Sequence, residues 1–203
     1  MSLVEDLGYV VVSLGEVVGL VRKEIPPEKP TLAITFDDGF ANNLEVAYPE
    51  LARRGWPSTV FVATSYMGRR PYLTRAEIPR VLELGVEIGN HTHGHTDLRT
   101  VTPARVVDEI SECSRRIEDL VGARPRHFCY PEGRYSPAAR DAVASTEMES
   151  ACTGRVGFNP PGADPFRLRR VTLERGDGPR ELRTRLSGGY DFLDRRQRFM
   201  DRA

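Results

Sequence analysis

Short apolar runs alternate with longer helical patterns along most of the chain. Several runs are rich in β-branched or aromatic residues and are bounded by Gly, Pro or Asp, which is typical of strands. Parallel strands need helical crossovers, so this alternation predicts an α/β fold with a parallel sheet, either closed into a barrel or open. The predicted strands are Tyr9–Leu14, Thr31–Phe36, Thr59–Val62, Val86–Asn90, His127–Tyr130, Ala151–Thr153 and Arg169–Leu173.

Three of the predicted helices have recognisable first residues. Thr74-Arg75-Ala76-Glu77 has the pattern of a capping box, and Thr102-Pro103 and Ser136-Pro137 each place a hydroxyl cap before a proline. A last amphipathic helix is predicted from Tyr190 to Phe199. The helix after Thr102 has apolar residues at a spacing of 3.6, which predicts one buried stripe of Val106, Ile110, Cys113, Ile117 and Leu120.

Composition narrows the class of protein. The 203 residues include 29 Lys+Arg and 29 Asp+Glu, so the formal net charge is +0, and 39% of the residues are hydrophobic. These values predict one globular domain over residues 1–203. They remove the electrostatic argument for nucleic acid or an anionic membrane as a partner.

Cysteine usage and the N-terminal sequence predict the compartment. Cys113, Cys129 and Cys152 are odd in number and widely spaced, which argues against a disulfide framework or a thiolate zinc site. The first residues lack a basic segment followed by an apolar one, so no signal peptide is predicted. We therefore expect a cytoplasmic protein, or a secreted one if the native N-terminus is longer.

Two adjacent carboxylates, Asp37 and Asp38, follow the predicted strand that ends at Phe36. Like charges repel at the end of a dry strand, and a bound cation would relieve that repulsion and leave one carboxylate free for acid–base work. An ordinary Asp-Gly turn at Asp38-Gly39 is the alternative interpretation.

Three of the four histidines follow another predicted strand, in the segment His91-Thr92-His93-Gly94-His95. Imidazole is a common ligand for zinc-like metals, and Gly94 permits the chain to turn so that two of these rings face one ion. Two histidines and one carboxylate leave coordination positions open for water and substrate, which favours a hydrolytic metal site.

A third segment, Tyr130-Pro131-Glu132-Gly133, follows the strand that begins at His127. Its proline and glycine predict a rigid rim whose backbone N–H could stabilise an oxyanion. A plain connection from strand to helix is the alternative interpretation of this segment alone.

Together the three segments resemble the polysaccharide deacetylase family, also called the NodB-homology domain. Thr35-Phe36-Asp37-Asp38-Gly39 resembles its first motif, His91-Thr92-His93-Gly94-His95 its second, and Phe128-Cys129-Tyr130-Pro131-Glu132-Gly133 the Phe-x-Tyr-Pro-x-Gly form of its third. The resemblance covers the chain from Tyr9 to Leu173. It implies a distorted, incomplete (β/α) barrel of about seven parallel strands.

The resemblance also implies a reaction and a site. The reaction is hydrolysis of an N-acetyl group on a saccharide, with one divalent metal, zinc first and Co²⁺, Mn²⁺, Ni²⁺ or Fe²⁺ as alternatives. Asp37 would be the general base and Arg170 its partner, since Cys129 stands where many relatives carry Arg. The metal ligands would be Asp38, His91 and His95, and the residues at the substrate and oxyanion Tyr130, Pro131 and Glu132.

One departure from the family pattern concerns the general acid. Many relatives supply a histidine late in the chain, but no histidine follows His127 here. His93, His127 or Asp37 acting in both directions are the candidates. Two other functions stay open: a metal-dependent amidase on a cyclic amide or ureido compound, and a catalytically weak, metal-containing carbohydrate-binding module.

Overall fold

A curled parallel sheet of six strands forms the frame of the molecule. The computed structural model describes residues 2–24, 26–174 and 176–188. The strands are β1 (Val10–Val11), β2 (Thr31–Leu32), β3 (Ile34–Phe36), β4 (Ser58–Val62), β5 (Val86–Asn90), β6 (His127–Cys129), β7 (Ser150–Val156) and β8 (Leu168–Arg170). Strands β3 to β8 are neighbours in chain order and all pair in parallel, while β1 and β2 form a separate parallel pair.

Helices connect these strands, as the alternating pattern predicts. The helices are α1 (Ser2–Asp6), α2 (Leu14–Arg22), α3 (Asn42–Glu45), α4 (Ala47–Arg53), α5 (Ile78–Glu83), α6 (Pro103–Val121), α7 (Pro137–Ala144) and α8 (Pro179–Leu186). Within the described ranges, no helix combines the length and the apolar character needed to span a bilayer. The curled parallel sheet and its helical connections confirm the α/β fold and the distorted, incomplete barrel.

The main sheet has six strands rather than about seven because one predicted strand is divided. The run from Thr31 to Phe36 is interrupted at Ala33, so that Thr31–Leu32 pairs with β1 and Ile34–Phe36 pairs with β4. The last predicted strand is also shorter than expected and ends at Arg170, after an irregular register with β7.

The predicted helix starts are confirmed by their hydrogen bonds. The Thr74 backbone N–H donates to Glu77 Oε2 at 2.6 Å, and a short 3₁₀ turn leads into α5. The hydroxyls of Thr102 and Ser136 accept from the third residues of α6 and α7. The α6 stripe packs inward, with Val106, Ile110, Cys113 and Ile117 buried and Leu120 half-buried. The helix predicted at Tyr190–Phe199 lies outside the described residues.

The interior of the barrel is filled below the carboxyl ends of the strands. Phe61 is fully buried and packs with Cys129, Cys152 and Leu168 from the inner faces of other strands. Helix α2 belongs to the same cluster and contributes Leu14, Val18 and Val21. A side chain at Gly89 would lie only 2.4 Å from the Phe61 ring, so this glycine makes room for the aromatic core.

Candidate active site

The predicted site residues meet at the carboxyl ends of the strands, the edge where barrels of this kind carry their chemistry. Asp37 and Asp38 follow β3, His91 follows β5, and Arg170 is the last residue of β8. The structure therefore brings together side chains that are up to 133 residues apart in the chain.

Asp38, His91 and His95 form a compact donor set. Asp38 Oδ1 lies 3.4 Å from His91 Nε2 and 3.2 Å from His95 Nε2. A tetrahedral zinc ion holds such ligands at about 2.1 Å, which places neighbouring ligand atoms about 3.4 Å apart. Hydrogen bonds with His91, and to a lesser extent with His95, hold the pKa of Asp38 well below its ordinary value. This carboxylate is therefore ionised. The donor set fits a zinc-like divalent ion.

His91 is oriented by a backbone carbonyl. Its Nδ1–H donates to the Cys129 carbonyl oxygen at 2.7 Å, and the ring is 1% exposed. Because Nδ1 carries the proton in this hydrogen bond, the lone pair of Nε2 faces Asp38 and is free for a metal. The Cys129 carbonyl thus contributes to the site although the Cys129 side chain belongs to the core.

His95 is held mainly by ring packing. The Tyr66 ring stacks on the His95 ring with centroids 5.5 Å apart and an interplanar angle of 26°. The His91 ring meets the same imidazole edge-on at 5.0 Å. These contacts fix the plane of His95, and the sequence pattern gave no signal that Tyr66 would lie there.

Asp37 forms a two-point ion pair with Arg170. The two guanidinium nitrogens lie 2.6 and 2.7 Å from the two carboxylate oxygens, and Arg170 Nε also donates to the Thr153 carbonyl. Burial raises the pKa of Asp37, but the hydrogen bonds and charge of Arg170 outweigh it and leave that pKa below its ordinary value. Asp37 is therefore an ionised carboxylate next to the donor set.

A second group of metal-binding residue types, Asp37, His91 and Cys129, is equally compact but less suited to an ion. The Cys129 Sγ lies 3.7 Å from Asp37 Oδ2, and burial raises the pKa of this thiol well above its ordinary value. A neutral thiol and a carboxylate already paired with Arg170 make a poor ligand set.

The three predicted residues after β6 differ in the backbone donor that each can offer to an oxyanion. The Tyr130 N–H already donates to the Cys152 carbonyl at 3.0 Å, and the Tyr130 side chain is fully buried beside Phe166. Pro131 has no N–H. Among these three predicted residues, only Glu132 is left with a backbone N–H for an oxyanion, while its exposed side chain pairs with Arg134.

Backbone strain is concentrated around this site. Five non-glycine residues in the described part of the chain have a positive φ; two of them belong to the donor set and two more lie in the segments around it. Residues held in this region cost about 1–3 kcal/mol each, and such strain tends to cluster at functional sites. The four residues are Asp38, Thr92, His95 and Glu132.

The two histidines considered as general acids lie elsewhere. His127 is the first residue of β6, at the amino end of the strands, where its Nδ1 contacts Ser150 Oγ at 2.9 Å. The His93 ring contacts Thr64 Oγ1 through Nδ1 and lines a different cavity. The structure brings neither of them to Asp37.

Two polar residues that the sequence patterns did not indicate hold the histidine loop. Asn90 Oδ1 accepts from the Thr92 N–H, and its Nδ2 donates to the Ile110 carbonyl on α6. Glu109, which is 2% exposed, accepts from the Gly94 N–H at 2.7 Å. In the sequence, the available signal for Glu109 was its acidic side chain on the buried side of the amphipathic helix α6.

Comparisons with known proteins agree with this geometry. The chain is 37% identical to a chitooligosaccharide deacetylase of Bradyrhizobium sp. (strain ANU 289) over 142 residues, which cover 64% of this chain and 60% of that protein. It is 26% identical to the protein YxkH of Bacillus subtilis (strain 168) over 176 residues, 87% of this chain and 63% of that protein. The chain thus spans about 60% of the length of these two relatives.

A solved structure shows the fold of the chain, and a family sequence model shows the family to which it belongs. The Streptococcus pyogenes deacetylase PplD, solved in complex with acetate, superposes with a TM-score of 0.81 over 91% of this chain and 83% of that one, at 23% identity. At that identity the likeness shows the fold. The sequence model described as "Polysaccharide deacetylase" matches residues 24–151, a segment that contains Asp37, Asp38 and the histidine loop. This chain belongs to the polysaccharide deacetylase family.

Proposed function

We propose that this chain hydrolyses the N-acetyl group of an acetylated amino sugar with the help of one divalent metal ion. The observation that carries the proposal is that two adjacent aspartates have different partners. Asp38 belongs to the donor set with His91 and His95, and Asp37 is an ionised carboxylate fixed by Arg170 beside it. The name of the Bradyrhizobium relative, a chitooligosaccharide deacetylase, supports the substrate class.

The proposed chemistry assigns one task to each group. A divalent ion bound by Asp38, His91 and His95 supplies Lewis acidity toward a carbonyl oxygen and toward water. Asp37 accepts the proton that the attacking water loses as its oxygen bonds to the acetamide carbon. The Glu132 N–H donates to the carbonyl oxygen as negative charge develops there.

Breakage of the C–N bond needs a proton on the leaving nitrogen. Since His93 and His127 lie away from Asp37, we assign this step to Asp37, which returns the proton it took from water. The products are a free amine and acetic acid, which ionises in water. Arg170 remains protonated throughout and keeps the carboxylate in one orientation.

The metal content of the purified protein tests the donor set. We expect about one zinc-like ion per chain in the wild type and its loss in His95→Ala, because two ligands alone bind weakly. Asp37→Asn should keep the ion and lose turnover by about 10²–10⁴-fold, as expected for removal of a general base. Loss of the ion in Asp37→Asn, at the level seen for His95→Ala, would contradict the separate roles of the two aspartates.

Product analysis tests the reaction. Metal-loaded protein should release acetate from N-acetylglucosamine oligomers, and the Asp37→Asn protein should not. Ring opening of a cyclic amide or ureido compound without acetate release would overturn the deacetylase proposal in favour of an amidase. A metal-loaded protein that binds the oligomers but hydrolyses neither substrate would indicate a binding module.

A further inference from the structure

A cavity lies between the loop that follows β4 and helix α6, and its volume is about 340 Å³. One wall is the loop from Thr64 to Arg69, another is Arg75 before α5, and a third is the last part of α6. His93, in the middle of the histidine loop, completes the lining. The residues that line this arginine cavity are Thr64, Ser65, Met67, Arg69, Arg75, His93, Arg116 and Leu120.

The charge of the arginine cavity is unbalanced. Three of the residues that line it are arginines, and none is acidic. Arg116 pairs with Glu112 at 2.5 Å, a carboxylate that it shares with Arg115.

The other two arginines are not neutralised locally. Arg69 and Arg75 form no ion pair with any carboxylate in the described part of the chain, whereas Arg80, one turn further on, pairs with Glu83. Like charges that share a cavity repel one another, and an anion bound between them removes that repulsion.

The polar groups of the wall are held in place. The His93 N–H donates to the Glu109 carbonyl at 3.2 Å, and the His93 carbonyl accepts from the Ser65 N–H at 2.9 Å. The contact of His93 Nδ1 with Thr64 Oγ1 at 2.9 Å leaves the ring Nε2 for a ligand. A pre-positioned ring and a hydroxyl beside guanidinium groups are the usual components of an oxyanion site.

We propose that the arginine cavity binds an oxyanion of the phosphate or carboxylate type, held chiefly by Arg69 and Arg75. The site is distinct from the donor set, although His93 lies in the loop between His91 and His95. The cavity has room for more than an inorganic phosphate, so both a free oxyanion and one carried by a saccharide fit it. The proposal does not depend on the proposed deacetylase activity.

Calorimetric titration with inorganic phosphate, on chelator-treated protein at low salt, tests the site. Without the metal, phosphate has no metal ion to bind at Asp38, His91 and His95. We expect one phosphate per chain, with binding weakened about tenfold in Arg69→Gln and in Arg75→Gln, because a charge-assisted hydrogen bond is lost in each.

Arg80→Gln is the matched control, since Arg80 is an exposed arginine of the neighbouring helix outside the lining. It should bind phosphate as the wild type does. Equal weakening in all three variants would show a diffuse effect of net charge and would overturn the proposal. So would the absence of saturable binding, or unchanged affinity in both Arg69→Gln and Arg75→Gln.

Titration with glucosamine 6-phosphate distinguishes the two sources of the anion. If the sugar phosphate binds more tightly than phosphate, and both lose about tenfold in Arg75→Gln, the arginine cavity holds the oxyanion as the substituent of a saccharide. If the two bind equally, a free oxyanion suffices. These titrations require neither metal nor turnover, so their failure would leave the deacetylase proposal untouched, and failure of the deacetylase assays would leave the arginine cavity untouched.

Discussion

Arg170 and Asp37, 133 residues apart in the sequence, meet through two hydrogen bonds of 2.6 and 2.7 Å, one to each carboxylate oxygen. The guanidinium plane fixes both oxygens of the carboxylate and leaves each with a further lone pair. The pair spans the gap between β8 and β3, and Arg170 Nε is tied to β7 through the Thr153 carbonyl. The orientation of Asp37 therefore depends on the curl of the sheet, which brings β8 close to β3 although the two strands do not pair.

Replacing Arg170 should reduce turnover without removing the metal. In Arg170→Lys the positive charge remains but the two-point geometry is lost, and a carboxylate misplaced by about 1 Å can cost about 10²-fold in rate. We expect a decrease of that order in kcat for Arg170→Lys and a larger one for Arg170→Gln. Steady-state kinetics and metal analysis of the same samples check this. Arg170→Lys with the wild-type kcat would show that charge alone suffices.

The sequence predicted most of this site because its residues follow strands directly. Asp37, Asp38 and His91 each stand at the end of an apolar run, and parallel strands bring such ends to one edge. The prediction of Arg170 depended on the resemblance, and the structure shows that this arginine, at the last position of β8, contacts Asp37.

Other parts of the site carry no local signal in the sequence. The stacking of Tyr66 on His95 arises from the course of a long loop, and the hydrogen bond of His91 to the Cys129 carbonyl depends on the register of two strands. The hydrogen bond that the Tyr130 N–H donates to the Cys152 carbonyl likewise depends on the pairing of β6 with β7. Such tertiary relations cannot be read from residue types.

Gly133→Ala should disturb the segment that carries the Glu132 N–H. A Cβ at Gly133 would lie 2.2 Å from the backbone N of Gly154, and the residue has φ +67°, so the strain of a positive φ is added to a clash of the Cβ with the Gly154 backbone. We expect a loss of about 2–5 kcal/mol in the free energy of unfolding, together with reduced kcat. Urea denaturation and deacetylation assays measure the two effects.

Gly122→Ala provides the comparison for that variant. Gly122 ends α6 with φ +76°, and a Cβ there meets no atom within 4 Å. It should cost only about 1–2 kcal/mol and leave the kinetics unchanged, because only the positive φ is penalised. If both glycine variants lost the same stability and the same activity, the contact with Gly154 would not be the cause.

Tyr66 should affect metal affinity through the orientation of His95. Tyr66→Leu removes the ring that stacks on His95, and an aromatic pair is worth about 0.5–1.5 kcal/mol, so we expect zinc to bind about three- to tenfold more weakly. Tyr66→Phe keeps the ring and should retain the wild-type affinity. Competition with a chromophoric chelator measures both. A loss in Tyr66→Phe equal to that in Tyr66→Leu would assign the effect to the hydroxyl instead.

His127 should make the stability depend on pH in the mildly acidic range. Burial, followed by the charge of Arg126, lowers the pKa of His127 to about 4, whereas a histidine in the unfolded chain titrates near 6.5. As the pH falls from about 6.5 to 4, the unfolded chain gains a proton that the folded chain does not. The free energy of unfolding therefore decreases over this interval, by at most about 1.4 kcal/mol per pH unit, and this contribution levels off below pH 4.

His127→Asn isolates that contribution from the carboxylates that titrate in the same range. The amide can still bond to the Ser150 hydroxyl but takes up no proton, so unfolding free energy measured against pH should have a shallower slope between 6.5 and 4 than in the wild type. The comparison uses slopes because the substitution also changes packing. Parallel curves would mean that His127 takes up its proton equally in both states, and an NMR titration of the ring in the folded protein would then show a midpoint near 6.5.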